Sequence, residues 1–243
     1  MLERLRDIMA RLRDPQRGCD WDRQQTFQSI APYTIEEAYE VADACRRDDM
    51  AALRDELGDL QLQVVFHARM AEEAGHFTLD DVIDGICAKM ERRHPHIFGS
   101  GDPSPGWEAI KAAERSDAGR TGALDGVALA LPALLRAEKI QKRAARVGFD
   151  WPDQEGAKAK IQEEIAEVTE DPSEAEMGDL LFAVVNWARH LGIDPEQALR
   201  AGTAKFERRF RAMEDMAGES FPNLSLDEKE VLWAAVKSAE KPS

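Results

Sequence analysis

Eight carboxylates in this chain fall into two sets of four whose spacing suits metal-assisted phosphoryl chemistry. Glu37 and Glu40 lie three residues apart, as do Glu56 and Asp59, so each pair shares one face of a helix. If the helices carrying them form an antiparallel hairpin, Glu40 is level with Glu56 and Glu37 with Asp59, because both pairings are symmetric about Asp48 in the Arg47-Asp48-Asp49 turn. Glu164, Glu167, Glu176 and Asp179 repeat the arrangement about the Asp171-Pro172 turn, although the inner spacer shrinks from fifteen residues to eight. Four carboxylates at matched levels repel one another at neutral pH unless they are protonated or neutralised by a cation. An all-oxygen set suits Mg²⁺, with Mn²⁺ as a possible substitute, and Mg²⁺ completes its shell with water and phosphate oxygens.

Basic and aromatic residues supply the complementary chemistry. Lys160 precedes Glu164 by four residues and shares its face, so its ammonium can reach a metal-bound phosphate. Tyr33 stands at that place in the first set, and Pro32 before it is expected to stop the helix from extending back. Lys205 and Arg209 share a face, and Lys237 follows Trp233 by four, which suits a base with a phosphate tail. Structural roles compete with each of these. Thr34 with Glu37 reads as a capping box, Trp233 as core, Arg208 and Arg209 as partners of acidic neighbours, and Glu36 and Glu163 as solvated. Glu164 lies well inside its helix, so capping does not account for both copies. Gly58 and Gly178 sit at mid-helix, where glycine costs about 1 kcal/mol relative to alanine, and close helix approach is the expected reason. His94-Pro95-His96 has no counterpart in the second half and is read as local structure.

The elements positioning these residues are helical. Leu53, Leu57, Leu60 and Val64 recur with helical spacing, as do Leu180, Val184 and Leu191. Breaks fall at Arg13 to Gly18, Gly75, Gly99 to Gly106, Ser116 to Gly126, Asp150 to Asp153 and Gly218 to Asn223. The halves repeat each other in order: Asp20-Trp21 with Asp150-Trp151, Glu36 to Glu40 with Glu163 to Glu167, Glu56 to Leu60 with Glu176 to Leu180, Lys89 to Arg93 with Lys205 to Arg209, and Trp107 to Lys111 with Trp233 to Lys237. The expected fold is all-α, a tandem repeat of two helical modules with four-helix-bundle-like cores. Its expected parts are residues 1–116, a linker and connecting segment at 117–135, and a second module at 136–243. With 32 basic and 47 acidic residues the formal charge is −15, which disfavours nucleic acid and anionic membranes. Three cysteines without a CxxC spacing, no signal peptide and no membrane span point to the cytoplasm.

At these residues the chain resembles the MazG family of nucleoside triphosphate pyrophosphohydrolases. The mark is Glu-Glu-x-x-Glu, a spacer, then Glu-x-x-Asp, present as Glu163, Glu164, Glu167, Glu176 and Asp179, and again as Glu36, Glu37, Glu40, Glu56 and Asp59. Gly18 to Asp22, Glu91 to His96 and Val147 to Trp151 are similar as well. The resemblance implies a dimerising all-α enzyme that uses Mg²⁺ to hydrolyse an NTP or dNTP to the monophosphate and pyrophosphate in control or house-cleaning of the nucleotide pool. By position, Glu164, Glu167, Glu176 and Asp179 would hold metal, Glu163 would join them in catalysis, and Lys160, Lys205, Arg209, Trp233 and Lys237 would contact the nucleotide. Glu37, Glu40, Glu56 and Asp59 would be a second metal set. The second module would be the competent one. The family's further lysine shortly before Glu-x-x-Asp is missing here, since no lysine lies between Lys160 and Lys205. Two other classes compete: a nucleotide-sensing helical module without turnover, and a carboxylate-bridged di-iron protein, for which only Glu91 and His94 supply the required Glu-x-x-His.

Overall fold

Thr26 opens the first long helix. Its hydroxyl accepts from the Ser29 amide, and the Ser29 hydroxyl accepts in return from the Thr26 amide. This box starts the helix well before Pro32, contrary to the sequence expectation. Pro32 lies inside it, at the cost of one backbone bond, because burial of Ile30 on the same segment holds the early turns against the core. Thr34 is therefore not a cap, and its hydroxyl instead meets His67 Nε2 at 3.1 Å.

The computed structural model describes residues 1–99, 114 and 122–240. The repeat match at Trp107 to Lys111 and most of the expected break at Ser116 to Gly126 lie outside the described residues. The chain divides into two units, Met1–Lys111 and Ala112–Ser243. The first holds α1 (Leu2–Leu12), α2 (Asp20–Gln24), α3 (Phe27–Arg47), α4 (Met50–Glu73), α5 (Leu79–Arg93) and α6 (Pro95–Phe98). The second holds α7 (Ala133–Arg146), α8 (Gln154–Glu170), α9 (Glu174–His190), α10 (Pro195–Ala217), a 3₁₀ turn (Gly218–Asn223) and α11 (Leu226–Ala239). The described residues contain no strand, and none of their helices is long and apolar enough to cross a membrane. The fold is all-α.

Each unit is organised by a helical hairpin. Asp48 takes the left-handed conformation (φ 55°) that ends α3, and Asp49 caps α4 by accepting from the Ala52 amide. Asp153 starts α8 and Ser173 starts α9, each side chain accepting from a backbone amide two or three residues on. Met9, Ile30, Val65, Phe66, Ala68, Met70 and Leu79 form the core of the first unit, with Trp21 edge-on to Tyr33 and Phe66. In the second unit Met213, Phe221 and Val236 form a core against which Leu232 and Trp233 pack.

The glycine expectation fails. A Cβ at Gly58 or Gly178 would meet nothing within 4 Å, so neither permits close helix approach within one chain. Leu57 and Val64 on α4, and Leu181 and Val184 on α9, remain exposed on the same helices.

Arg13 locks the end of α1 to α4. Its guanidinium donates to both Glu73 carboxylate oxygens and to the Asp22 carbonyl at 2.5 Å, and it stands 5.4 Å over the Phe66 ring. Burial pushes the Glu73 carboxyl up, but hydrogen bonds from Arg13 and Arg69 outweigh it and hold the group below its ordinary range. Replacing Arg13 by Met removes one of the two arginines that hold Glu73 and is expected to cost the first unit roughly 1–2 kcal/mol at pH 7. A depressed carboxylate stabilises above its unfolded pKa and loses that contribution as pH falls through the folded value. The difference between wild type and Arg13→Met should therefore shrink on acidification below about pH 4, read by hydrogen exchange of α1 and α4 amides.

Candidate functional site

The hairpins bring together three of each four carboxylates. Oxygens of Glu164, Glu176 and Asp179 lie within 4.8 Å of one another, as do those of Glu37, Glu56 and Asp59. The fourth member of each set sits beside the cluster, near enough to perturb it: Glu167 acts on Glu164, and Glu40 on Glu56. Their charges disturb one another. Desolvation and then the neighbouring Asp59 raise the Glu37 carboxyl, desolvation and then Glu40 raise that of Glu56, and the bond to Glu164 raises Glu167. Glu164 moves the other way because Lys160 Nζ stands 2.7 Å from its Oε1, while also meeting Glu163 Oε1 at 2.6 Å. These two carboxylates raise the Lys160 ammonium well above its ordinary value, so it stays charged.

Glu164 is 4% exposed, and its Oε2 is buried with no hydrogen-bond partner. Three carboxylates within a few ångströms, one of them with an oxygen that has no partner, fit a hard divalent cation such as Mg²⁺, which takes oxygen ligands at about 2.0–2.1 Å. The same cluster has no protein cation other than Lys160 among its described ion pairs.

A cavity of about 710 Å³ opens beside this cluster in the second unit. Its lining includes Lys160, Glu164 and Asp179 together with Gln141, Phe149, Trp151, Ala157, Phe182 and Asn186. The first unit gives a direct comparison. The Cys19 amide donates to Leu12 O, and the Phe149 amide to Ala144 O, so the helix before each Asp-Trp pair is tied to it in both units. The carboxylate registers match Ile30 to Ala157, Tyr33 to Lys160 and Phe66 to Asn186. In the first unit Ile30 and Phe66 are both 3% exposed or less and belong to one core cluster. Where these side chains fill space, the second unit has a shorter or polar residue lining a cavity.

The remaining sequence candidates are placed elsewhere. Arg209 pairs with Glu240 at 2.7 Å and stands 5.5 Å over Trp233, and Arg208 also reaches Glu240. The cation over the Trp233 ring is thus Arg209, where Lys237 was expected. Trp233 packs beside the α10–α11 core, and Lys205 and Lys237 are exposed. None of Lys205, Arg209, Trp233 and Lys237 lines the cavity within one chain. His94 bonds its own helix at Met90 O, as local structure requires.

Sequence reasoning missed Gln141, Asn186 and Arg189. Arg189 bonds Asn186 Oδ1 through Nε at 3.0 Å and Nη2 at 2.8 Å, and pairs with Asp150, which His190 also meets. For Asn186 the usable signal was its departure from the matched Phe66 of the first module, whereas Arg189 matches Arg69 and carried no such signal.

Comparison with known proteins places this architecture. The model for the MazG nucleotide pyrophosphohydrolase domain matches residues 25–98, which carry the first carboxylate set. The nucleoside triphosphate pyrophosphohydrolase of Escherichia coli strain K12 is 48% identical, over 98% of both chains. The chain belongs to the MazG family. A second MazG relative, the nucleoside triphosphate pyrophosphohydrolase/pyrophosphatase MazG of Thermotoga maritima, is 45% identical over 99% of this chain and 97% of its own. Both alignments run through the two units, so this MazG chain shares its whole two-hairpin plan with them.

Metal binding is testable without turnover. Glu176→Gln with Asp179→Asn removes two charges from the second cluster and should weaken Mn²⁺ binding there about ten-fold or more. Electron paramagnetic resonance of free Mn²⁺ checks this, with the first cluster, left intact, as the internal reference.

Proposed function

We propose that this chain hydrolyses nucleoside triphosphates to the monophosphate and pyrophosphate with Mg²⁺, and that the second unit carries the reaction. The observation that carries the assignment is the cavity running from the Glu164, Glu176 and Asp179 cluster, at positions that are core in the first unit. The triphosphate lies at the carboxylate end and the nucleoside in the cavity.

A divalent cation, when bound, withdraws charge from the phosphates and acidifies water. Glu164, Glu176 and Asp179 would hold it, and Glu164 has one oxygen that is not engaged by Lys160. Lys160 neutralises part of the triphosphate charge, since its ammonium remains protonated and sits on the edge of both cluster and cavity. Glu163 and Glu167 flank the ligands on α8 and can orient the attacking water by accepting its hydrogens. Water oxygen bonds to the α-phosphorus, the bond to the bridging oxygen breaks, and pyrophosphate leaves.

The first unit retains a carboxylate cluster while its matched positions are filled, which favours a role in assembly or sensing without turnover for that hairpin. Exposed Leu57, Val64, Leu181 and Val184 leave apolar helix faces that a second copy would cover, so we propose a homodimer. In such an assembly Lys205, Arg209, Trp233 and Lys237 remain the nucleotide contacts to test on the partner side. Its three free, exposed cysteines suit a reducing cytoplasm.

Glu164→Gln with Glu167→Gln should abolish pyrophosphate release, whereas Glu37→Gln with Glu40→Gln should leave most of it; the reverse ranking in steady-state assays would move the site to the first unit. Hydrolysis in ¹⁸O-labelled water should place the label in the monophosphate, as mass spectrometry will read. Ala157→Ile with Asn186→Phe, the residues of the first unit at matched positions, should close the cavity and lower nucleotide affinity at least ten-fold, on the scale of one lost well-fitted contact set. Calorimetric titration with nucleotide checks that loss, and circular dichroism checks the fold.

A further inference from the structure

Gly156 stands at the third position of α8, inside a helix where alanine would be the more stable choice. Unlike Gly58 and Gly178, it has a neighbour that accounts for it. A Cβ on Gly156 would fall 2.8 Å from Cδ2 and Cε3 of Trp151 and 3.1 Å from Cγ, where ordinary contact begins at 3.4 Å. Three bonded ring carbons at nearly equal distance mean that the glycine meets the face of the indole, not its edge. The Trp151 ring thus lies flat on the α8 backbone, and even a methyl group there would displace it.

The stem of the same residue is fixed to the other arm of the hairpin. Its amide donates to Asp150 Oδ1 at 2.9 Å, and Arg189 and His190 on α9 hold that carboxylate. The first unit seats its own Asp-Trp pair differently, with Trp21 edge-on to Tyr33 and Phe66. Lys160 and Asn186 occupy those two places in the second unit, so neither ring is available to Trp151, and the bare backbone at Gly156 supports it instead.

Trp151 lines the cavity and is 47% exposed although α8 covers one of its faces. Its open surface is therefore the other face and the edges. Gly156 precedes Lys160 by four residues and shares its side of α8, and Glu164 follows one turn later. Eight residues at 1.5 Å each put the ring's seat about 12 Å along the helix from Glu164. A nucleotide whose phosphates lie at Lys160 and the carboxylates carries its base toward that end. An aromatic face held there suits any base, because every base has a π-face.

We propose that Gly156 is a positioning residue for nucleotide binding: its missing side chain seats the Trp151 ring flat on α8, where the ring forms the cavity wall against which the nucleobase lies. The inference rests on reading the second unit as the nucleotide site. It predicts that one added methyl group costs affinity for the base and not for the phosphates.

The test measures calorimetric binding of ATP and of inorganic tripolyphosphate, which lacks the base, to the full chain with Ca²⁺ in place of Mg²⁺. Gly156→Ala should weaken ATP binding about ten-fold, the scale of one lost base stack, and leave tripolyphosphate within about two-fold. Trp151→Leu should lose ATP selectively in the same way. Adding Gly156→Ala to it should cost nothing further, because the ring that the methyl group displaces is gone. A glycine with only a structural role gives the opposite result, since alanine favours the helix and would leave ATP binding intact. Unchanged ATP affinity in Gly156→Ala, equal loss of both ligands, or a further loss in the double variant overturns the proposal. If Gly156→Ala does not fold, Trp151→Leu with and without Gly156→Ala decides by the same comparison. Pyrophosphate release by wild type with Mg²⁺ separates this inference from the hydrolase reading. Base-selective loss of binding without release keeps the seat and removes the hydrolase; no ATP binding by wild type overturns both; and release with ATP affinity unchanged in Gly156→Ala removes the seat alone.

Discussion

Mutual repulsion among carboxylates at the centre of each hairpin sets the terms for everything around it. Three carboxylate oxygens within 4.8 Å of one another repel, so the helices holding them are secured by other contacts. The first unit does this with a buried core and the Arg13–Glu73 lock at the far end of α4. The second spends Lys160 on the cluster itself and places its main core away from it, on α10 and α11. The hairpin is thus an electrostatic device clamped from outside.

The two units show how one scaffold separates holding a cluster from using it. In both, the carboxylates sit on consecutive helices in the same register. Among the described residues, positions around the second cluster open into a cavity where those of the first are core, through exchanges such as Phe66 for Asn186 and Ile30 for Ala157. Each exchange gives up core packing, which is a main source of stability in a small helical unit. Glu164 marks the difference most sharply, being nearly enclosed, with one oxygen bound to Lys160 and the other unused.

Much of this could be read from the sequence because charges and periodicity survive without knowledge of packing. The hairpin register followed from the symmetry of Glu37, Glu40, Glu56 and Asp59 about Asp48, and three of the four meet as that symmetry requires. Lys160 beside Glu164 followed from helical spacing alone. The start of α3 was misjudged because the Thr26–Ser29 box lies beyond Pro32, and proline was given more weight than a cap followed by a buried Ile30. Gly58 and Gly178 were misread because a glycine's reason lies in its neighbours, and here one chain supplies none. Gln141 was invisible for a related reason. A single amide on a helix is unremarkable until the atoms around it show which of its ends lacks a partner.

The hairpin tips carry a consequence for how such chains can change length. Helix α3 runs seven residues past Glu40, and α8 three past Glu167; α4 begins six residues before Glu56, and α9 two before Glu176. Each arm has therefore lost four residues, close to one turn of about 3.6, and the connecting turn has gained one residue. Trimming both arms by a turn returns the tip to nearly the same azimuth, so the ligand face is undisturbed. Removing one or two residues from a single arm would rotate a carboxylate pair away from its mates. Viable insertions and deletions at these tips should accordingly come in paired, turn-sized steps, making the hairpin a ruler whose divisions are set by the pitch of the helix.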